Sequence, residues 1–281
     1  MHQIEADIAT SLQHYHALCR ALSAYDRVLV AYSGGTDSTL LLKAALDTLG
    51  AEQVQAVMVH TPAIPAYQVS NAQRMAALLH LPVTISVQPL PDDPRFLDGP
   101  LDRCYWCKRT LFGALLQLAH QQEIPVVLDG ENADDAGDWR PGRRAARELG
   151  VRSPLAEVGL AKEAIRAISR ILGLPTWDTP AAACLVSRLP YGVRITEERL
   201  AMVGEAEMVL RDLGFPHVRV RHHEEIARIE LSPEDFPRAL QPTTRETITA
   251  RLRTLGYRYV TLDLQGYRTG SMNPDTPSLV E

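Results

Sequence analysis

Two clusters of residues in this 281-residue chain have types and spacings suited to chemistry. The first is Ser33-Gly34-Gly35-Thr36-Asp37-Ser38, set between the β-branched run RVLVAY (27–32) and the helical pattern TLLLKAALDTLG. Two glycines permit a tight turn and a close backbone approach. The amides at the following helix start point outward with the positive end of the dipole behind them, so an anion belongs there. Ser33 and Ser38 add hydroxyl donors, and an aspartate in such a site, Asp37, requires a divalent cation beside it, which implies magnesium. The loop has neither the lysine of a Walker A motif nor the spacing of a dinucleotide fingerprint.

The second cluster is Cys104-Tyr105-Trp106-Cys107-Lys108, two thiols at a helix start, where thiolate is favoured and soft metals bind. Cys184 follows much later in AAACLVSR, a small-residue stretch that permits close approach. Alone, the C-x-x-C reads as a redox pair, half of a zinc site or two buried thiols. A Cys3His zinc site needs a histidine, and candidates such as His222 and His223 fall in the other domain. Three cysteines without an evident fourth ligand also fit a 4Fe-4S cluster with one open iron. The fourth cysteine, Cys19, lies on an amphipathic helix and reads as core.

The elements that must position these residues alternate between strand and helix over the first two thirds of the chain, the pattern of a parallel sheet flanked by helices. A helix over 3–23 precedes the first strand. QVQAVMVH (53–60), PVTISVQ (82–88) and PVVLDG (125–130) are the next strands, with a helix near 66–80 and another in KRTLFGALLQLAHQQ. The last of these strands opens into ENADDAGDWRPG, at the sheet edge where α/β proteins bind ligands. The rhythm then changes: Thr196 caps a helix closed by Gly214, two short strands follow in HVRVRH and ARIEL, then a helix near 243–255 and a last strand. The fold class read from this is α/β with a smaller α+β C-terminal domain, the two domains spanning 1–194 and 195–281.

Composition narrows the functions. With 29 Lys plus Arg against 34 Asp plus Glu, a net charge of -5 argues against a polynucleotide-wrapping surface. Four cysteines are too few to staple a secreted scaffold, and no apolar run reaches the length of a membrane helix, so the expectation is a soluble, cytoplasmic protein.

The SGGTDS stretch resembles the PP-loop of the ATP pyrophosphatases, which cleave ATP between the α and β phosphates to adenylate a substrate. That resemblance implies that His60, ending the second strand, lies near adenine or ribose, and that the 129–135 loop, with Gly130, Asn132 and Asp134, borders the reactive centre. Taken with RCYWCKRTLF (103–112), DGENADDAGDWRPGRRAARELGVRSPL (129–155), LGLPTWDTPAAACLVSRLPYG (172–192), VRVRHHEEIARIE (218–230) and LDLQGYRTGSMN (262–273), it closely resembles the LarE family of ATP-dependent sulfur transferases. The resemblance implies adenylation of a nicotinate-derived mononucleotide carboxylate and its conversion to a thiocarboxylate for the nickel-pincer cofactor. One branch of that family sacrifices the sulfur of a single cysteine, matched by Cys184. Another holds a 4Fe-4S cluster on three cysteines, matched by Cys104, Cys107 and Cys184, and this sequence resembles the second. A homo-oligomer, in this family a hexamer, is implied as well.

On that reading ATP, Mg2+ and the cluster are the cofactors. Lys108 neutralises phosphate charge, and Trp106 either is partly buried in the helix packing or stacks on a pyridinium ring. Arg219 and Arg221, alternating on one strand face, bind a mononucleotide phosphate with Arg188 and Arg194, and Glu230 joins a metal or orients an arginine. The competing readings are tRNA thiolation, an ammonia-dependent amide synthetase that needs no sulfur, and a nucleotide-sensing module that binds ATP without releasing AMP.

Overall fold

In this computed structural model, residues 2–137, 141–179 and 183–268 are described, and the chain divides into two units. Unit one is Met1–Phe96 with Asp102–Ala182, and unit two is Leu97–Leu101 with Ala183–Glu281.

Unit one is built on four parallel strands, β1 (Val28–Ala31), β2 (Val54–His60), β3 (Val83–Val87) and β4 (Val126–Leu128), in the order β3-β2-β1-β4. Parallel neighbours require crossover connections, which helices supply. The helices are α1 (His2–Leu22), α2 (Thr36–Leu49), α3 (Ala66–Leu78), α4 (Pro94–Leu97), α5 (Arg103–Gln121), α6 (Pro141–Glu148), α7 (Pro154–Glu157) and α8 (Lys162–Ile171). Strand alternation sends Val28, Val30, Ala56 and Met58 into one apolar cluster with Leu18, Leu41 and Ile165, while Leu29 and Val57 enter another with Phe112 and Leu115. Both faces of the sheet are therefore covered, as a parallel sheet requires. Cys19 is half-buried against the first cluster. The chain winds outward from β1 through β2 to β3, then returns to β4 on the other side of β1. The winding reverses between β1 and β4, and a crevice at the strands' carboxyl ends forms at such a point.

In unit two, α9 (Glu197–Asp212) opens where the Thr196 side chain accepts a hydrogen bond from the Arg199 amide, and the helix ends before Gly214, at φ 89°. Strands β5 (Val218–His223) and β6 (Ile226–Leu231) form an antiparallel hairpin. After α10 (Phe236–Ala239) and α11 (Pro242–Thr254), β7 (Tyr259–Leu262) adds in parallel to β6, giving a mixed three-stranded sheet. Val218, Val220, Ile229 and Leu231 face a core shared with Leu210 and Leu252. The alternate positions, Arg219, Arg221, Arg228 and Glu230, fall on the opposite face.

Among the described residues, no helix is long and apolar enough to cross a membrane. Thr196→Ala removes the α9 cap and is expected to destabilise the protein by about 1 kcal/mol. Urea unfolding followed by circular dichroism checks this, and an unchanged midpoint would count against the cap.

Candidate active site

The Ser33–Ser38 loop leaves the carboxyl end of β1 at the reversal point. Gly34 adopts φ 73°, and a Cβ there would stand 2.6 Å from the Cα of Ala72 on α3, so glycine is required twice over. Gly35 is the N-cap of α2 and gives no side-chain capping bond, which leaves the first-turn amides for a ligand. The loop is fixed internally. Ser33 Oγ and Ser38 Oγ lie 3.0 Å apart, the Ser33 amide donates to Ser38 Oγ at 3.2 Å, and the Gly35 amide donates to Ser33 Oγ at 3.4 Å. The hydroxyl of Thr36 is buried and donates to the Thr176 carbonyl at 2.7 Å, so Thr36 offers a ligand its backbone only.

Asp37 carries the most informative geometry. Its Oδ2 accepts from the Lys162 ammonium at 2.6 Å, while its Oδ1 is buried without a hydrogen-bond partner. A buried carboxylate oxygen left unpaired is costly, and a hard cation satisfies it, so the residue fits the magnesium read from the sequence. Lys162 opens α8, and its own amide donates to Asp134 Oδ2 at 2.7 Å. This lysine was not anticipated, although an ammonium at a helix N-terminus opposes the dipole and so marks a position held for another reason. It brings to the loop the cation that a Walker A lysine would carry within the motif.

The 129–135 loop lies against the same helix start. A Cβ on Gly130 would stand 3.0 Å from the Ser38 amide nitrogen. Asn132 Oδ1 accepts from the Asp134 amide at 3.0 Å, and Asp135 Oδ2 accepts from the Asn132 amide at 3.1 Å. Ser153 donates to Asp129 at 2.7 Å. Burial, then the nearby Asp129 charge, pushes the Glu131 carboxyl above its ordinary range, against the opposing pull of Arg143 and Lys108. Lys108 thus acts electrostatically on this loop, and its side chain packs over Gly142, where a Cβ would meet it at 2.6 Å. His60 is half-buried at the end of β2.

Cys104 is exposed and Cys107 half-buried at the N-terminal end of α5. Trp106 between them donates from Nε1 to Asp102 at 3.1 Å, and the Arg95 guanidinium lies 3.7 Å from its ring centroid. Cys184 belongs to unit two, half-buried before a short 3-10 turn, Leu185–Arg188. All four cysteines are outside disulfides. Among the described residues, no group of three or more His, Cys, Asp or Glu is disposed to hold a metal ion.

The arginines of unit two behave differently from the sequence expectation. Arg188, expected at a substrate phosphate, is 0% exposed and bound to Glu207, so it meets no ligand in this state. A charge pattern on a one-dimensional sequence does not distinguish a ligand-facing guanidinium from one neutralised inside the protein. Arg221 is likewise buried, donating from Nε and Nη2 to Glu230 at 3.0 and 2.8 Å. Glu230 is also 3.4 Å from Arg228, so both its oxygens face guanidinium groups. Arg219 donates to the Val218 carbonyl and lies 5.1 Å from the Tyr267 ring centroid, while Arg194 forms an exposed pair with Asp98. His222, weighed for zinc, stands 3.2 Å from the Tyr257 hydroxyl, and burial lowers its pKa.

A parallel sheet with an uncapped, glycine-turned helix start at its reversal point, and an aspartate there with one oxygen short of a partner, defines an α/β protein whose helix start is open to an anion. No family model matches the chain. It is 39% identical over 266 residues to the pyridinium-3,5-bisthiocarboxylic acid mononucleotide synthase of Lactiplantibacillus plantarum, covering 95% of this chain and 96% of that protein. It is 44% identical over 248 residues to an uncharacterised protein of Synechocystis, covering 88% and 92% of the two chains. A further uncharacterised protein, of Methanocaldococcus jannaschii, is 30% identical over 243 residues, or 86% and 91%. The chain belongs to the LarE family of ATP-dependent sulfur-inserting synthases.

Two substitutions test the loop. Gly34→Ala forces its Cβ into the α3 backbone and is expected to abolish ATP-dependent pyrophosphate release and to destabilise the protein by about 1–3 kcal/mol. Lys162→Ala is expected to slow pyrophosphate release by about 10²-fold with the fold intact. A wild-type rate in the lysine variant would remove Lys162 from the site.

Proposed function

We propose that this protein converts a carboxylate of a nicotinate-derived mononucleotide to a thiocarboxylate, a step toward a nickel-pincer cofactor. The observation that supports this most directly is the 39% identity, nearly end to end, with the Lactiplantibacillus plantarum synthase. The α2 amides and the loop hydroxyls orient the ATP phosphates, Asp37 holds Mg2+ through the oxygen that lacks a partner, and Lys162 and Lys108 offset negative charge at the reacting phosphate. A substrate carboxylate oxygen attacks the α-phosphorus and pyrophosphate leaves. A sulfur nucleophile then attacks the acyl carbon and AMP leaves, so a poor leaving group has been replaced by a good one.

For the sulfur source we propose a 4Fe-4S cluster on Cys104, Cys107 and Cys184: thiolates are the ligands such a cluster takes, and three of them leave one iron for another ligand. When bound, the cluster supplies a sulfide on that iron. The chain's own part is to present the thiolates and to hold the acyl-adenylate in place, which gives the proximity advantage over dilute sulfide. Arg194, exposed beside Asp98, is the candidate for the mononucleotide phosphate, because Arg219 is as buried as Arg221; the active form is proposed to be a homo-oligomer working in the cytoplasm.

The experiment is anaerobic incubation of the purified protein with ATP, Mg2+ and the mononucleotide carboxylate, with AMP and thiocarboxylate quantified and iron and labile sulfide counted beforehand. AMP and thiocarboxylate should form in equal amounts. Cys184→Ala should release pyrophosphate at the wild-type rate and form no thiocarboxylate. AMP without thiocarboxylate in the wild type would overturn the sulfur assignment. Product formation with loss of H2S from Cys184, and no iron, would replace the cluster by sacrifice of that cysteine.

A further inference from the structure

Arg188 is one of the largest fully buried side chains among the described residues, and its bonds converge on one short stretch of unit two. Nε and Nη2 donate to the two Glu207 oxygens at 2.7 and 3.0 Å. The Nη1 group is directed elsewhere, to the carbonyls of Ala183 and Cys184, each at 3.0 Å, and to Ser187 Oγ at 2.9 Å. Ser187 Oγ in turn donates to the Cys184 carbonyl at 2.8 Å, and Arg221 donates to the Ser187 carbonyl at 3.0 Å. Glu207 is itself anchored, because its Oε1 also accepts from the Val220 amide of β5 at 3.1 Å. One guanidinium therefore connects the peptide carrying Cys184 to both α9 and β5.

An ion pair that served stability alone would not need this arrangement. Burying two charges costs about as much as their attraction returns, and apolar residues of similar volume often serve as well. What only a planar fork with five donors supplies is simultaneous engagement of a carboxylate on one edge and carbonyls on the other. A lysine offers a single charged point and cannot span both.

We infer that Arg188, locked by Glu207, is the positioning residue for Cys184: it fixes the backbone on both sides of the thiol so that Sγ is presented from a single conformation. The inference deepens the proposed function and rests on Cys184 taking part in sulfur transfer. Arg188 touches no substrate and acts through the Cys184 peptide. Its loss therefore lowers the rate of the sulfur step and leaves substrate binding alone.

The test uses full-length Arg188→Lys and Ser187→Ala, the second removing a bridging hydroxyl without disturbing a buried charge. In the lysine variant, kcat for thiocarboxylate formation is expected to fall about 10²-fold, the scale of a small misplacement. KM for ATP and for the mononucleotide should stay within about twofold, and pyrophosphate release should be unchanged. Ser187→Ala should lose about tenfold in kcat with the same split. Hydrogen exchange gives a readout independent of activity. The Ser187 and Leu189 amides, bonded at 3.1 Å to the Cys184 and Val186 carbonyls, should exchange faster in both variants, while the amides of α9 keep their protection. Unchanged exchange at these two amides in Ser187→Ala, or a wild-type kcat in either folded variant, overturns the inference. If the wild type makes no thiocarboxylate, the proposed function fails, and faster local exchange still establishes Arg188 as the anchor of the Cys184 peptide.

Discussion

The phosphate loop depends on two absent methyl groups. At Gly34 the backbone of α3 comes within the space a Cβ would need, and at Gly130 the start of α2 does the same. These contacts bring three segments that are distant in sequence to the carboxyl ends of β1 and β4. Once they are that close, the rest of the site follows from electrostatics. The uncapped helix start is positive, Asp37 is held beside it, and Asp134 draws the start of α8 inward so that Lys162 reaches Asp37. The remaining oxygen of Asp37 is enclosed without a partner, a locally unfavourable state that a cation relieves.

Unit two solves a different problem. Its apolar core lies on one face of the three-stranded sheet, and the other face carries Arg219, Arg221, Arg228 and Glu230. Arg221, Arg228, Glu230 and Asp263 neutralise one another there, and Arg188 with Glu207 forms a second, fully buried pair. Buried pairs of this kind contribute little net stability, but losing one partner strands the other charge at a cost of about 3–5 kcal/mol. They are therefore better at excluding alternative conformations than at strengthening the fold.

The sequence made legible whatever chemistry is local. A β-branched run, two glycines and a helix start identify an anion loop because all three lie within a dozen residues, and Thr196 and Gly214 bracket α9 for the same reason. The strands of the sheet could be read from their apolar runs. The pairing of Lys162 with Asp37 could not, since it is made by folding and has no spacing rule; its one trace is a lysine on the wrong end of a helix. The arginines were visible as residues and opaque as roles. Alternation along β5 places Arg219 and Arg221 on one face whether that face meets a phosphate or, as for Arg221, a carboxylate two strand positions away. Arg188 shows the same limit, because nothing near it in sequence announces Glu207.

The division of the chain has a consequence for biosynthesis. Five residues, Leu97–Leu101, belong to unit two although unit one flanks them on both sides, so the polypeptide passes between the units three times. They hydrogen-bond within unit two: the Gly192 amide donates to Gly99 at 2.8 Å and the Ile195 amide to Leu97 at 2.7 Å. On the ribosome these residues emerge before most of their own unit has been made. At about 5–20 residues per second, they wait several seconds for Gly192 and Ile195. The loop that finally closes contains Cys104 and Cys107, and the cysteine pair is already anchored on α5 in unit one while unit two is still being completed.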